Sequence, residues 1–231
     1  MKERSLQGDF TWGGQTVFRC QVHYPQLEPG EMPGCEGAVS AFYSRYAKEK
    51  WNRLAAAWSP KARANCQRLK PYGLFEPLEA QCEYTVMYWQ NGYCSVFFDT
   101  YVRQGAQELD RGRQSCTFWA PAGMVPLAAF FRPGCAYRAV LLRNIREQIA
   151  RQCVQEPKAY YVDWPELVSR RLDERNYYLA DDGFVLYYPR RALGPSITGI
   201  VGLSMMCYRL REANKTCLGE RQERGRMGKL L

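Results

Sequence analysis

Apolar and polar positions alternate through "QTVFRCQVHYPQL", residues 15–27, the period-two pattern of a half-buried strand that Pro25 and the turn-rich "EPGEMPG" bring to an end. The period then changes. Val39, Phe42, Tyr43, Tyr46, Leu54 and Trp58 recur at helical spacing, with Lys48, Glu49, Lys50 and Arg53 on much of the remaining surface, predicting an amphipathic helix over 36–58. Ser59 before Pro60 reads as a cap and a first-turn proline, so a second helical piece is expected to run to Lys70 and stop at Pro71.

"EYTVMYWQNGYCSVFFDTYV" predicts a hairpin, because Asn91-Gly92 tolerates the two positive φ values of a type I′ turn. With Gln90 facing Tyr93, one face carries Met87, Trp89, Cys94, Val96, Phe98 and Val102. The other carries Tyr84, Tyr88, Ser95, Asp99 and Tyr101, an aromatic face open to a second layer or a partner. "GRQSCTFW" reads as a further strand and "VPLAAFF" as a short helical or irregular bridge. A long helix follows from Gly134, with Tyr137, Val140, Leu141, Ile145, Ile149 and Cys153 inward. In "DWPELVSRRLD" Asp163 is placed to cap a compact helix, with Glu166 reaching back as in a capping box. "NYYLADDGFVLYY" predicts a second hairpin around Asp182-Gly183, closed by Pro189, and "IVGLSMMCYRL" a last strand.

These elements predict an α+β fold: antiparallel hairpins forming one or two sheets, with two main amphipathic helices packed on them. The division expected is a small strand-helix part over 1–75, a larger α+β domain over 76–210 and a basic, disordered tail over 211–231. Length changes the picture little, since 231 residues can bury a core without metals or disulfides. The start "MKERSLQGDFTWGGQ" lacks the apolar run of a secretory signal, and no stretch approaches the roughly 18 apolar residues of a membrane span. A soluble, cytoplasmic, bacterial protein with no membrane partner is the expectation. The ten cysteines then read as reduced, partly buried small hydrophobes.

Two blocks resemble one family. "NYYLADDGFVLYYPRRALGPSITGIVGLSM" and, earlier, "SVFFDTYVRQGAQ" followed by "GRQSCTFW" and a long helix are similar to the RsiV-like domain-of-unknown-function family, over most of residues 80–210. The resemblance implies a binding domain that is usually extracytoplasmic, that serves as the lysozyme receptor in the anti-sigma factor RsiV, and that also accompanies peptidoglycan deacetylase domains. This chain departs from the family at its Gly-Ala-His turn, where Gly105 and Ala106 are followed by Gln107. No sigma-binding region is expected in this chain. The net charge of +9 argues against lysozyme as partner, because a strongly cationic ligand is repelled unless its contact face is locally acidic.

No catalytic motif stands out. His23 is the single histidine, so any Ser-His-Asp triad would have to use it, and its strand setting favours a structural role. Paired Cys or His for zinc are missing, and no metal or cofactor is expected. "GPSITG" departs from the nucleophile-elbow spacing, leaving Ser196 a turn role. The neighbouring Asp181 and Asp182 point to opposite faces if in a strand. The expectation is a non-enzymatic binding module for an unknown protein or cell-wall-related ligand. Its contacts are placed on Arg103, Gln107 and Asp110 in the stretch 103–112, and on Tyr187, Tyr188, Arg190, Arg191 and Ser196 around 189–196. The alternatives are nucleic-acid binding, with Arg190 and Arg191 beside Tyr187 and Tyr188 as the stacking patch, and a hydrolase built on converging carboxylates or His23.

Overall fold

The computed structural model describes residues 1–120 and 122–206, so the expected tail over 211–231 lies outside the described residues. The chain is α+β, with a six-stranded sheet of order β1-β2-β3-β4-β5-β6 and a three-stranded sheet of order β7-β8-β9. Two compact units emerge: Met1–Thr85 with Phe97–Gln114, and Val86–Val96 with the described residues from Ser115 onward. Three strands of the larger sheet therefore contribute residues to both.

In the first unit β1 (Lys2–Trp12) and β2 (Gln15–Gln26) form an antiparallel hairpin. After β2 the long helix α1 (Glu36–Leu69) crosses over and delivers β3 (Leu78–Gln90) parallel to β2, with Phe18 beside Leu78 and Val22 beside Cys82. This parallel pair is absent from the expected set of hairpins; a parallel partner needs a long crossover, which α1 supplies. Phe18, Val22, Leu78 and Cys82 on the inner face and Val39, Tyr43, Ala47 and Ala62 on α1 are buried. Trp51 of α1 sits so close to Gly8 that a Cβ there would lie 3.0 Å from the indole, which is why a glycine interrupts β1.

One correction concerns α1. The break expected at Ser59-Pro60 does not occur, and Pro60 lies inside a continuous helix. Proline removes the hydrogen bond to the carbonyl of Ala56, but Ala56 and Pro60 are both exposed, so water can serve that oxygen. Lys50, on the same helix, is half-buried and donates to Gln114 Oε1 at 3.1 Å. Its ammonium is pushed below the usual lysine range, first by burial. With the folded pKa lowered, the unfolded state binds more protons between the two values, and stability rises with pH through that window. Lys50→Met is therefore expected to raise the urea midpoint near neutral pH, with the advantage over wild type shrinking as pH approaches about 10.

β4 (Tyr93–Gln104) follows β3 after two residues, Asn91 at φ 56° and Gly92 at φ 74°, the type I′ turn expected from the sequence. The first unit takes its continuation from Phe97, and Phe98 meets the rings of Tyr43, Tyr46 and Tyr84. A second two-residue turn, Gly105-Ala106, leads into β5 (Gln107–Trp119), which begins several residues earlier than the strand read from "GRQSCTFW".

The second unit holds the end of β3, the start of β4, the end of β5, the short β6 (Gly123–Met124) and the described residues after it. A 3-10 turn over Leu127–Phe130 precedes α2 (Tyr137–Gln155), whose Leu141, Ile145 and Ile149 are buried; Val140, expected inward, is exposed. Then come α3 (Trp164–Arg170), β7 (Tyr177–Ala180), β8 (Gly183–Tyr188) and β9 (Val201–Met206). The Asp163 side chain makes no capping hydrogen bond, contrary to the capping-box reading. The second hairpin turns one residue earlier than expected: Ala180 pairs with Gly183, so Asp181 and Asp182 are the turn and Gly183 opens β8. One apolar cluster joins Leu141, Ile145 and Ile149 to Leu179, Leu186, Tyr188, Leu193 and Leu203. Ser95, fully buried, ties β4 to β7 by accepting from Leu179 N at 2.9 Å, with Thr117 Oγ1 2.8 Å from its hydroxyl.

Candidate binding surfaces

The aromatic face of the first hairpin is not an open platform. Tyr88 is buried in the second unit's core, and in the first unit Tyr101 is half-buried under Arg111, whose guanidinium stands 4.8 Å from the ring centre. Arg111 Nη2 donates to the Tyr101 hydroxyl at 3.1 Å. Beside them Asp99 takes two hydrogen bonds of 2.6 Å from Arg113 Nε and Nη2, and Arg113 lies 3.8 Å over the Phe97 ring.

The residues expected to bind a ligand divide between the units. In the first, the stretch 103–112 is a tight hairpin and not an extended loop. Arg103, next to the last residue of β4, is exposed, and Gln107 and Asp110 are exposed on β5. In the second, Tyr187 and Tyr188 are buried at 3% and 1% exposure, which removes them as stacking platforms. Tyr188 donates its hydroxyl to Val168 O at 2.9 Å, the Tyr187 hydroxyl is 3.0 Å from Ser115 Oγ, and the Tyr187 ring meets Tyr178. Burial holds the Tyr188 phenol above its usual range. Arg190 Nε donates to Ser196 O at 3.0 Å and Arg191 Nε to Ser196 Oγ, so these three do come together, around a 3-10 turn at Ser196–Thr198.

A surface the sequence reading missed lies on the outer face of β1, β2 and β3. The register places Asp9, Arg19 and Glu79 in one row and Gln7, Gln21 and Gln81 in the next. Ser5 pairs with His23, and Glu83 follows by strand alternation. The rows line a hollow of about 680 Å³ formed by Gln7, Asp9, Arg19, Gln21, Glu79 and Gln81. Arg19 Nη1 donates to Glu79 Oε1 at 3.1 Å, and its Nε is 3.8 Å from Asp9 Oδ2. His23 Nδ1 is 3.1 Å from Glu3 Oε1 and Nε2 is 3.7 Å from Glu83 Oε1. Nδ1 is within hydrogen-bond distance of its carboxylate, and Nε2 faces the second carboxylate from farther off. Four carboxylates, of Glu3, Asp9, Glu79 and Glu83, meet one guanidinium here, an acidic face on a chain of net charge +9. The signal was present in "MKERSLQGDF", where Glu3, Ser5, Gln7 and Asp9 alternate with Arg4, Leu6, Gly8 and Phe10, but only two large apolar residues mark the strand.

Among the described residues no group of three or more His, Cys, Asp or Glu is placed to hold a metal ion. Nor is any helix long and apolar enough to cross a membrane. Eight cysteines are free thiols there, and burial raises that of Cys20 to about 12.

Residues 128–205, which hold α2, α3 and the three-stranded sheet, match the model of DUF3298, "Protein of unknown function". This match covers about a third of the chain, and the family it names is the one that the sequence resemblance pointed to. The DUF3298 match starts after β5, so "SVFFDTYVRQGAQ" and "GRQSCTFW" of the earlier block lie outside it while the long helix of that block lies inside. A DUF3298 family protein from Pseudomonas aeruginosa PAO1 has a similar fold, with TM-score 0.52 and 14% identity over 92% of this chain and 93% of that one. A DUF3298 member from Bacteroides fragilis gives TM-score 0.51 and 16% identity over 91% and 92%. At these identities the likeness speaks for the fold alone. No curated protein matches this chain.

Proposed function

We propose that the protein is a non-enzymatic binding module that receives a basic protein partner on the outer face of β1, β2 and β3. The observation that carries this reading is the local charge inversion: four carboxylates to one guanidinium on a face of a chain of net charge +9. Complementary potential steers encounter and rejects wrong partners, so an acidic patch on a basic protein favours cationic ligands there and repels them elsewhere. The glutamine row Gln7, Gln21 and Gln81 offers paired amide donors and acceptors in a hollow, which supports a polar, hydrogen-bonded contact. The objection to a cationic partner on net charge does not apply to this face.

A pull-down from bacterial lysate, with and without nuclease and at low and high salt, tests this. Wild type is expected to retain a basic protein in the presence of nuclease, and the double variant Asp9→Lys, Glu79→Lys to lose most of it. Both positions are exposed, so the fold is expected to tolerate the change. Equal recovery by the two proteins would end the proposal, and recovery of only nuclease-sensitive material would favour nucleic acid.

A further inference from the structure

A second hollow, in the second unit, has the opposite character. It has a volume of about 450 Å³ and is lined by Arg170, Arg171, Asp173, Asn176, Pro189, Arg190 and Ala192. We infer that it is an anion site that takes a small phosphate-bearing molecule, about the size of a sugar phosphate.

Three guanidinium groups border this hollow, and its only carboxylate is already engaged. Asp173 accepts from Arg175 Nε at 3.0 Å and from Arg175 Nη2 at 2.8 Å, and from the Arg175 backbone N–H at 3.0 Å. Arg170 and Arg171 have no carboxylate partner among the described residues.

The ordinary explanation for arginines at the end of a helix is that they cap its last carbonyls and oppose its dipole. At the end of α3, Leu167 O accepts from Arg171 N at 2.8 Å and Val168 O from the Tyr188 hydroxyl at 2.9 Å. Among the described residues the guanidinium groups of Arg170 and Arg171 donate to no carbonyl, so they do not serve as caps.

A separate observation comes from the backbone. Arg191 has φ 65°, the left-handed region, and is one of two non-glycine residues with positive φ among the described residues. The other, Asn91, is of a type that adopts this conformation readily; arginine adopts it less readily. This conformation falls directly after Arg190, whose Nε is held on Ser196 O and whose residue lines the hollow. Arg191 is the third residue of the turn that Ala192 N closes on Pro189 O at 3.0 Å, and that turn holds Arg190 at the edge of the hollow. Planar guanidinium forks match the oxygens of a phosphate, and Asn176 adds an amide at the same rim.

This inference is independent of the reading of the β1–β3 face. It is tested by calorimetric titration of the full chain with inorganic phosphate, with chloride adjusted to hold ionic strength constant. Saturable binding is expected. Arg170→Gln and Arg171→Gln are each expected to weaken it about tenfold, the loss of roughly one charge-assisted hydrogen bond. Arg143→Gln, an exposed arginine of α2 outside the hollow, is expected to leave it unchanged. Absence of binding to wild type, or equal weakening in the Arg143 variant, would overturn the site. Displacement by succinate at equal concentration would overturn its assignment to phosphate. Retained far-UV circular dichroism and an unchanged urea midpoint in each variant separate lost binding from lost fold.

Discussion

Asp99→Asn is expected to destabilise the protein by about 3 kcal/mol, because it leaves the Arg113 guanidinium largely out of water and without its counter-charge. The two side chains are 9% and 16% exposed, and the carboxylate receives both Arg113 bonds at 2.6 Å. Asparagine can accept through one oxygen only, and its amide nitrogen would confront the second guanidinium donor. Arg113 also stands 3.8 Å over the Phe97 ring, so it cannot swing out to water without giving up that contact. The Tyr101 hydroxyl, 3.4 Å from Asp99 Oδ2, keeps its acceptor only if the asparagine oxygen takes that position, which turns the amide nitrogen toward Arg113 Nε. A urea denaturation series reads the effect as a drop in midpoint at constant slope. The double variant Asp99→Leu, Arg113→Met is expected to recover most of the loss, since an apolar pair removes the buried charge together with its partner. If the single variant falls within about 0.5 kcal/mol of wild type, the range of an ordinary surface substitution, the pair is a surface ion pair and not a structural one.

Gly194→Ala is expected to cost a comparable amount, about 3 kcal/mol, for a steric reason. An added Cβ at position 194 would lie 2.1 Å from Ala159 O and 2.8 Å from Thr198 Oγ1. The first of these is backbone and cannot rotate away. It is anchored from both sides: Thr198 Oγ1 donates to Ala159 O at 2.6 Å, and Tyr161 N donates to Leu193 O at 2.9 Å. Making room for one methyl group thus means separating the segment at 159–161 from the segment at 193–198, with the loss of both bonds. The φ of Gly194 is not positive, so alanine could adopt the backbone itself and the penalty is one of space. Gly202→Ala serves as the comparison, since its Cβ would meet only the Val185 side chain at 3.4 Å and is expected to cost less than 1 kcal/mol. Thermal unfolding of the two variants side by side checks the ranking; equal melting temperatures would remove the close-approach argument.

The same glycine explains the breaker-rich run "RRALGPSITGI". Pro189 ends β8, and the chain then has to bring Gly194 against the carbonyl of Ala159 before Val201 starts β9. Sequence shows that such a segment is no strand. It does not show which distant carbonyl the glycine meets, because that contact joins residues 35 positions apart.

Legibility followed the range of the interactions. Asn91-Gly92, the strand from Val201 and the compact helix after Asp163 are local signals, set by turn conformations, by strand alternation and by the proline next to Trp164, and each was readable where it stands. The errors are also local in origin. The Pro60 break was expected because proline is costly in a helix interior, but exposure of Ala56 and Pro60 reduces that cost, and exposure is a tertiary property. Tyr187 and Tyr188 read as ligand platforms because they adjoin Arg190 and Arg191, yet the three-stranded sheet buries both rings.

The sequence by itself determined the α+β class, the two hairpins, the two main amphipathic helices and the resemblance to the DUF3298 family, since these depend on periodicity and turn chemistry within a few residues. Only the tertiary structure decided the parallel pairing of β2 with β3, the acidic face that this pairing assembles and the arginine hollow beyond α3. Charges from three separate strands become one surface only when register aligns them, and no spacing along the chain encodes that alignment.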